Sequence, residues 1–117
     1  MSLPDEIGPH EGIEFELMKK GKKNLALFID YEPPELQDFL SDEFKLLKFA
    51  QTTSDGVSYI TRIVFRHGYD IQAARLQILL KLKINGISPR REHEIGKLLS
   101  YTPEQVNAFI AQFSSDL

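Results

Sequence analysis

KLLKFAQTTSDGVSYITRIVFRHG, residues 45–68, decides the architecture of this chain. Two runs rich in β-branched and aromatic residues flank Asp55-Gly56, a dipeptide that supplies the positive φ angles of a tight primed turn or a bulged loop. The stretch predicts a β-hairpin. Side chains alternate across a strand, so Leu47 and Phe49 share one face of the first arm, and Val57, Tyr59, Thr61, Ile63 and Phe65 share one face of the second. These positions are the expected core face. The opposite face is mixed. Ile60 and Val64 alternate there with Arg62 and Arg66, whose stems can cover apolar surface or whose charges can pair with an acidic neighbour.

Upstream of the hairpin, residues 1–10 hold two prolines and a glycine and read as an irregular arm. From Glu11 to Lys20 acids come early and bases late, Ile13 and Leu17 are four apart, and Gly21 can close the turn; the pattern predicts a helix. A strand for EFELM is the competing reading. Leu25 to Tyr31 is an apolar run of strand length that stops at Pro33-Pro34. Pro34 then suits the opening of a short helix over Glu35 to Ser41.

Downstream, Asp70 is a candidate N-cap for a helix over about 71–84. Ile71, Ala74, Ile78 and Leu82 form its expected inward stripe, widened by Leu76, Leu79 and Leu80, and Asn85-Gly86 ends it. Ser88 can cap a helix from Pro89 to about Ser100, with Ile95, Leu98 and Leu99 inward and Arg90, Arg91, Glu92 and Glu94 outward. Thr102-Pro103-Glu104-Gln105 opens a last helix, with Val106, Phe109, Ile110 and Phe113 on one side. The expected fold is therefore α+β: one domain over 11–117, with a small antiparallel sheet of about three strands around the 45–67 hairpin and helices mostly from the C-terminal half.

Composition narrows the function classes. A chain of 117 residues with 42% hydrophobic and 26% charged content is of single-domain size and ordinary globular composition. The absence of cysteine excludes disulfides, thiol catalysis and thiolate metal sites, and suits a reducing cytoplasm. No apolar run reaches membrane-spanning length, and MSLPDEIG is acidic where a signal peptide is basic and then apolar, so a soluble cytoplasmic protein is expected. The net charge of −3 divides unevenly: residues 1–55 carry twelve acids and six bases, residues 56–117 five acids and eight bases. Overall acidity argues against a dedicated nucleic-acid binder.

Each candidate chemical motif fails a test of context. Arg66-His67-Gly68 matches the RHG tripeptide of histidine phosphatases, but the second arginine and the distant catalytic histidine of that larger fold have no counterpart here. His93-Glu94 is half of a zinc-protease motif, with Lys97 where the second histidine belongs. Lys19, Lys20, Lys22 and Lys23 surround Gly21 and read as a charged helix end. Residues 92–113 have helix-turn-helix proportions, yet the last helix opens without Lys or Arg to project into a groove. No catalytic, cofactor or metal site is expected. What stands out is an acidic segment in which Asp30, Glu32, Glu35, Asp38, Asp42 and Glu43 occur with no Lys or Arg between them.

Two stretches, Glu14-Phe15-Glu16-Leu17-Met18 with Gly21-Lys22-Lys23 and Leu25-Ala26-Leu27-Phe28, and Glu94 to Ile110, resemble a family of small uncharacterised bacterial proteins that open with a helix ending in G-K-K before an apolar strand. The resemblance implies a bacterial source and no established enzyme class. The functional expectation is a small non-enzymatic module that binds another protein through the patch at 30–43, in its sharpest form an immunity or antitoxin-like protein. The alternatives are an enzyme with a site near Arg62, Arg66 and His67, the residues expected to contact an anion, and a DNA-binding regulator using the C-terminal helix pair.

Overall fold

The computed structural model describes residues 13–82 and 88–115, with side chains as far as 111. The arm at 1–10, Glu11, the Asn85-Gly86 stop and the Phe113 side chain lie outside that description. Three strands, β1 (Leu25–Ile29), β2 (Phe44–Thr52) and β3 (Ser58–Arg66), form one antiparallel sheet in the order β1-β3-β2. Five helices accompany them: α1 (Glu14–Lys19), α2 (Leu36–Phe39), α3 (Asp70–Lys81), α4 (Pro89–Leu98) and α5 (Pro103–Ser115). The α+β expectation holds, with the hairpin at its centre.

The hairpin turns through a three-residue loop. Thr53 N donates to Val57 O, leaving Ser54, Asp55 and Gly56 outside the ladder, with Gly56 at φ 89°. That is the bulged form of the loop, in which the glycine takes the left-handed position. Register runs from Thr52 opposite Ser58 to Phe44 opposite Arg66, and β1 adds on the other side of β3 with Leu25 opposite Phe65.

β3 is bonded along both edges, and helices cover both of its faces. Ile63 and Phe65 join Leu25, Phe49, Ala73, Leu76, Leu79, Ile95 and Leu99 in one core, built under α3 and α4. This is the face the alternation assigned to the interior, except that Val57, expected on it, precedes β3 in the turn and is 61% exposed. The mixed face carries a second core: Val64 packs with Met18, Ala26, Phe28, Leu36, Phe39 and Phe44, under α1 and α2. A ladder of rings runs through it, with Phe15 on Phe39 at 4.2 Å, Phe39 on Phe44 at 4.3 Å, and the Arg66 guanidinium 4.9 Å from the Phe44 ring. Helices α1 and α2, read only as isolated short elements, thus form the layer over the sheet's second face.

Helix α1 ends as its sequence predicts. Gly21 sits at φ 76°, Gly21 N donates to Met18 O, and Lys22 N donates to Leu17 O, the paired bonds of a Schellman close. Three expectations change. Asp70 is the first residue of α3 rather than its cap; Tyr69 occupies the cap position without a side-chain bond. The stripe Ile71, Ala74, Ile78 and Leu82 faces outward, with Ile71 82% exposed, while Ala73, Leu76 and Leu79 are buried. Both sets have helical spacing on a helix apolar around most of its circumference, so periodicity alone could not choose between them. Arg91 turns inward, its Nε donating to Leu79 O at 2.8 Å, which satisfies a carbonyl in the last turn of α3.

Helices α4 and α5 form a close αα-hairpin. Ser88 caps α4 by accepting from Arg91 N. Thr102 and Gln105 exchange reciprocal bonds at the start of α5, a capping box. His93 and Asn107 link the two helices at 2.8 Å. The contact between them turns on Gly96: a Cβ there would overlap the Cγ2 of Val106. Gly96→Ala is therefore expected to destabilise the fold by about 2 kcal/mol, the cost of overpacking exceeding alanine's helix advantage. A urea midpoint at or above wild type would show that the helices separate freely.

Candidate functional site

The acidic segment begins where β1 ends. Asp30 holds φ 54° and its N–H donates to Ile60 O, the last rung between β1 and β3, after which the chain leaves the sheet. Pro33 is buried, Leu36 N bonds to Pro33 O, and α2 extends only from Leu36 to Phe39 rather than to Ser41. Leu36 and Phe39 point into the second core, which turns Glu35 and Asp38 outward. Ser41 instead starts the approach to β2: its hydroxyl accepts from Glu43 N and Phe44 N.

The six carboxylates fall into two sets. Glu32 lies 3.4 Å from Arg62, and Glu43 lies 2.5 Å from Arg66. Asp30, Glu35, Asp38 and Asp42 are exposed and make no ion pair with a described residue. Ile29 at 53% and Tyr31 at 56% exposure, two apolar side chains that the fold leaves out of its cores, flank Asp30 in the chain and share a cleft with Glu35.

The cationic face is occupied from within. Arg66 donates through Nε to Asn24, through Nη1 to Glu43 and through Nη2 to the Met18 carbonyl, so it ties α1 and the start of β1 to β3. Arg62 is half-buried, and among the described residues its Nε has no hydrogen-bond partner. His67 is exposed and its backbone N–H donates to Glu43 O. Arg62 and Arg66 thus face the same side of β3, each reaching toward the acidic segment.

Lys23 is the residue whose role the sequence concealed. It stands in a run of lysines that reads as a solvated helix end, yet it is 2% exposed. The Schellman close at Gly21 redirects the chain, and Lys23 Nζ reaches across the sheet's end to donate to the Leu99 carbonyl at 2.9 Å. That carbonyl belongs to the C-terminal end of α4, where a cation also meets the negative pole of the helix. The Tyr101 ring lies 5.1 Å from the amine. Burial pushes the Lys23 amine down from 10.5 to about 8, against the opposing pull of Glu14. Only the backbone reversal at Gly21 distinguishes Lys23 from its neighbours, and a glycine between lysines does not say which one turns inward.

Two clefts border these residues. One, of about 520 Å³, runs along β1 and is lined by Lys23, Leu27, Phe28, Ile29, Tyr31 and Glu35, with Phe15 and Leu99 on its walls. The other, of about 540 Å³, lies between α1 and α2 and carries Lys19, Glu35, Asp38 and Glu43 around Phe15, Phe39 and Phe44. Among the described residues no three His, Asp or Glu side chains converge in a way that could hold a metal ion, and no helix is long and apolar enough to cross a membrane. Comparison with protein-family models, with curated proteins and with solved structures finds no match to this chain.

Proposed function

We propose that this chain is a non-enzymatic protein-binding module whose recognition surface is the acidic segment 30–43 together with the exposed end of β1. In its sharpest form it is an immunity or antitoxin-like protein that neutralises a basic partner in the cytoplasm. One observation carries the reading: four carboxylates, Asp30, Glu35, Asp38 and Asp42, are exposed without an ion pair to a described residue, and two of them, Asp30 and Glu35, adjoin the exposed Ile29 and Tyr31. Uncompensated like charge destabilises a fold slightly and is useful for steering a partner of opposite charge. An apolar patch within it supplies the contact that charge alone does not.

The competing chemistries find less support. Three nitrogens of Arg66 are bonded inside the chain, which leaves that guanidinium poorly placed to cradle a phosphoryl group. At the start of α5, Gln105 and Val106 are buried and Gln105 closes the capping box, so neither is presented to a DNA groove.

The test is capture and identification of a partner from the native cell, followed by binding kinetics with Glu35→Lys, Asp38→Lys and Asp42→Lys combined. Glu32 and Glu43 stay unchanged, because reversing them would break the pairs with Arg62 and Arg66. The triple variant is expected to lower the association rate by about tenfold at low salt, with a smaller change in dissociation. Unchanged association would remove the acidic surface from the reading.

A further inference from the structure

The two edges of the sheet differ in kind. β2 carries the exposed Lys45 and Lys48, charges of the sort that discourage a further strand, whereas β1, LALFI, has no charged residue. Along an antiparallel pair, residues that bond to the neighbour alternate with residues whose N–H and C=O face away. Arg66 N donates to Asn24 O and Asp30 N donates to Ile60 O, so the even-numbered residues Ala26 and Phe28 bond to β3. Leu27 and Ile29 therefore turn their backbone groups outward. No strand among the described residues receives them.

That edge is the floor of the cleft of about 520 Å³. Phe15 and Phe28 wall it on the side of the second core, and Leu99 and Tyr101 on the side of the first. An extended chain laid in it would send alternate side chains against these two walls, as any strand does. Glu35 lines the same cleft and Asp30 follows directly on the strand, so its Ile29 end is acidic.

We propose that an extended segment of a basic partner protein adds to the free edge of β1 as a fourth strand, its backbone bonding to Leu27 and Ile29. The inference rests on the protein-binding reading above and specifies its mode, β-strand addition. Main-chain bonds supply the attachment, the two apolar walls select alternating apolar side chains, and Lys or Arg at the Ile29 end meets Asp30 and Glu35.

Selection of random phage-displayed peptides against the full chain, followed by synthesis of the strongest binder, supplies the probe. In the free protein the amides of Leu27 and Ile29 are expected to exchange with solvent faster than those of Ala26 and Phe28, and the peptide to slow exchange of the first pair. Ile29→Pro removes an outward donor at an exposed position without breaking a bond to β3, and is expected to weaken binding about tenfold. Ile29→Val keeps the N–H and most of the apolar side chain and is expected to bind several-fold more tightly than Ile29→Pro, so the difference between the two variants reads the main-chain bond rather than the side-chain contact. Should Ile29→Pro not fold, the exchange measurement on the wild type decides alone. Slow exchange of Leu27 and Ile29 in the free protein would overturn the proposal, because the edge would already be filled by this chain or by a second copy. So would a selection that yields no binder, or a peptide that protects neither amide. A peptide sensitive to the triple charge reversal but indifferent to Ile29→Pro would keep the acidic surface and remove the added strand; one indifferent to both would remove both readings.

Discussion

Replacing Phe39 with alanine is expected to destabilise the fold by about 4 kcal/mol, read as a fall in the urea midpoint at unchanged slope. Phe39 is the middle ring of the ladder, stacked on Phe15 at 4.2 Å and on Phe44 at 4.3 Å, and only 7% exposed. Its loss removes the transfer free energy of a buried aromatic ring and two stacking contacts, and leaves a void that a helix of four residues cannot collapse to fill. Phe109→Ala is the control. That ring is 41% exposed, and its removal is expected to cost less than half as much. Equal costs would mean that the second core is not a packed layer, and that α1 and α2 merely lean on the sheet.

The second large effect depends on pH. The Lys23 amine has a folded pKa of about 8 against an ordinary 10.5. The unfolded chain therefore holds this proton more tightly than the folded one between those values, and stability rises with pH across that window. Below pH 8 the amine is charged in both states and the full desolvation cost is present, roughly 3 kcal/mol for a shift of this size. Lys23→Met keeps most of the apolar stem and cannot titrate. The difference in unfolding free energy between wild type and Lys23→Met is expected to move by about 3 kcal/mol in favour of wild type between pH 7 and pH 10.5, as followed by denaturant titration. Loss of the bond to Leu99 O lowers the variant's stability at every pH and does not alter this slope. Parallel curves would show an amine in full contact with water.

Local signals in this sequence were legible wherever one short-range interaction decides the backbone. Gly56, Gly21, Ser88 and the Thr102–Gln105 pair each do in the fold what their residue types suggest, because a positive φ or a capping bond is settled within a few residues. The strict alternation of β3 likewise identified Ile63 and Phe65 as interior. What could not be read depended on partners distant in the chain. The outward turn of Ile71 and Ile78 follows from where Leu76 and Leu79 meet the sheet, and an all-round apolar helix carries no record of that choice. For Arg62 and Arg66 the sequence left two options open, an acidic neighbour or an outside anion, and it could not choose because the carboxylates that pair with them lie some twenty to thirty residues upstream. The acidic segment was visible as composition, but its division into two carboxylates paired with Arg62 and Arg66 and four without an ion pair to a described residue requires the register of β3 against both neighbours.

The centrality of β3 has a consequence for how the molecule comes apart. Ile63 and Phe65 belong to one core and Val64 to the other, so adjacent residues of a single strand anchor opposite layers. Arg66 fastens the close of α1 to that strand, and Lys23 fastens the same turn to the end of α4. A local opening that frees either layer pulls on the other through the shared strand, so the two halves are coupled as one unfolding unit. Neither layer is therefore expected to persist as a stable fragment once separated from the shared strand.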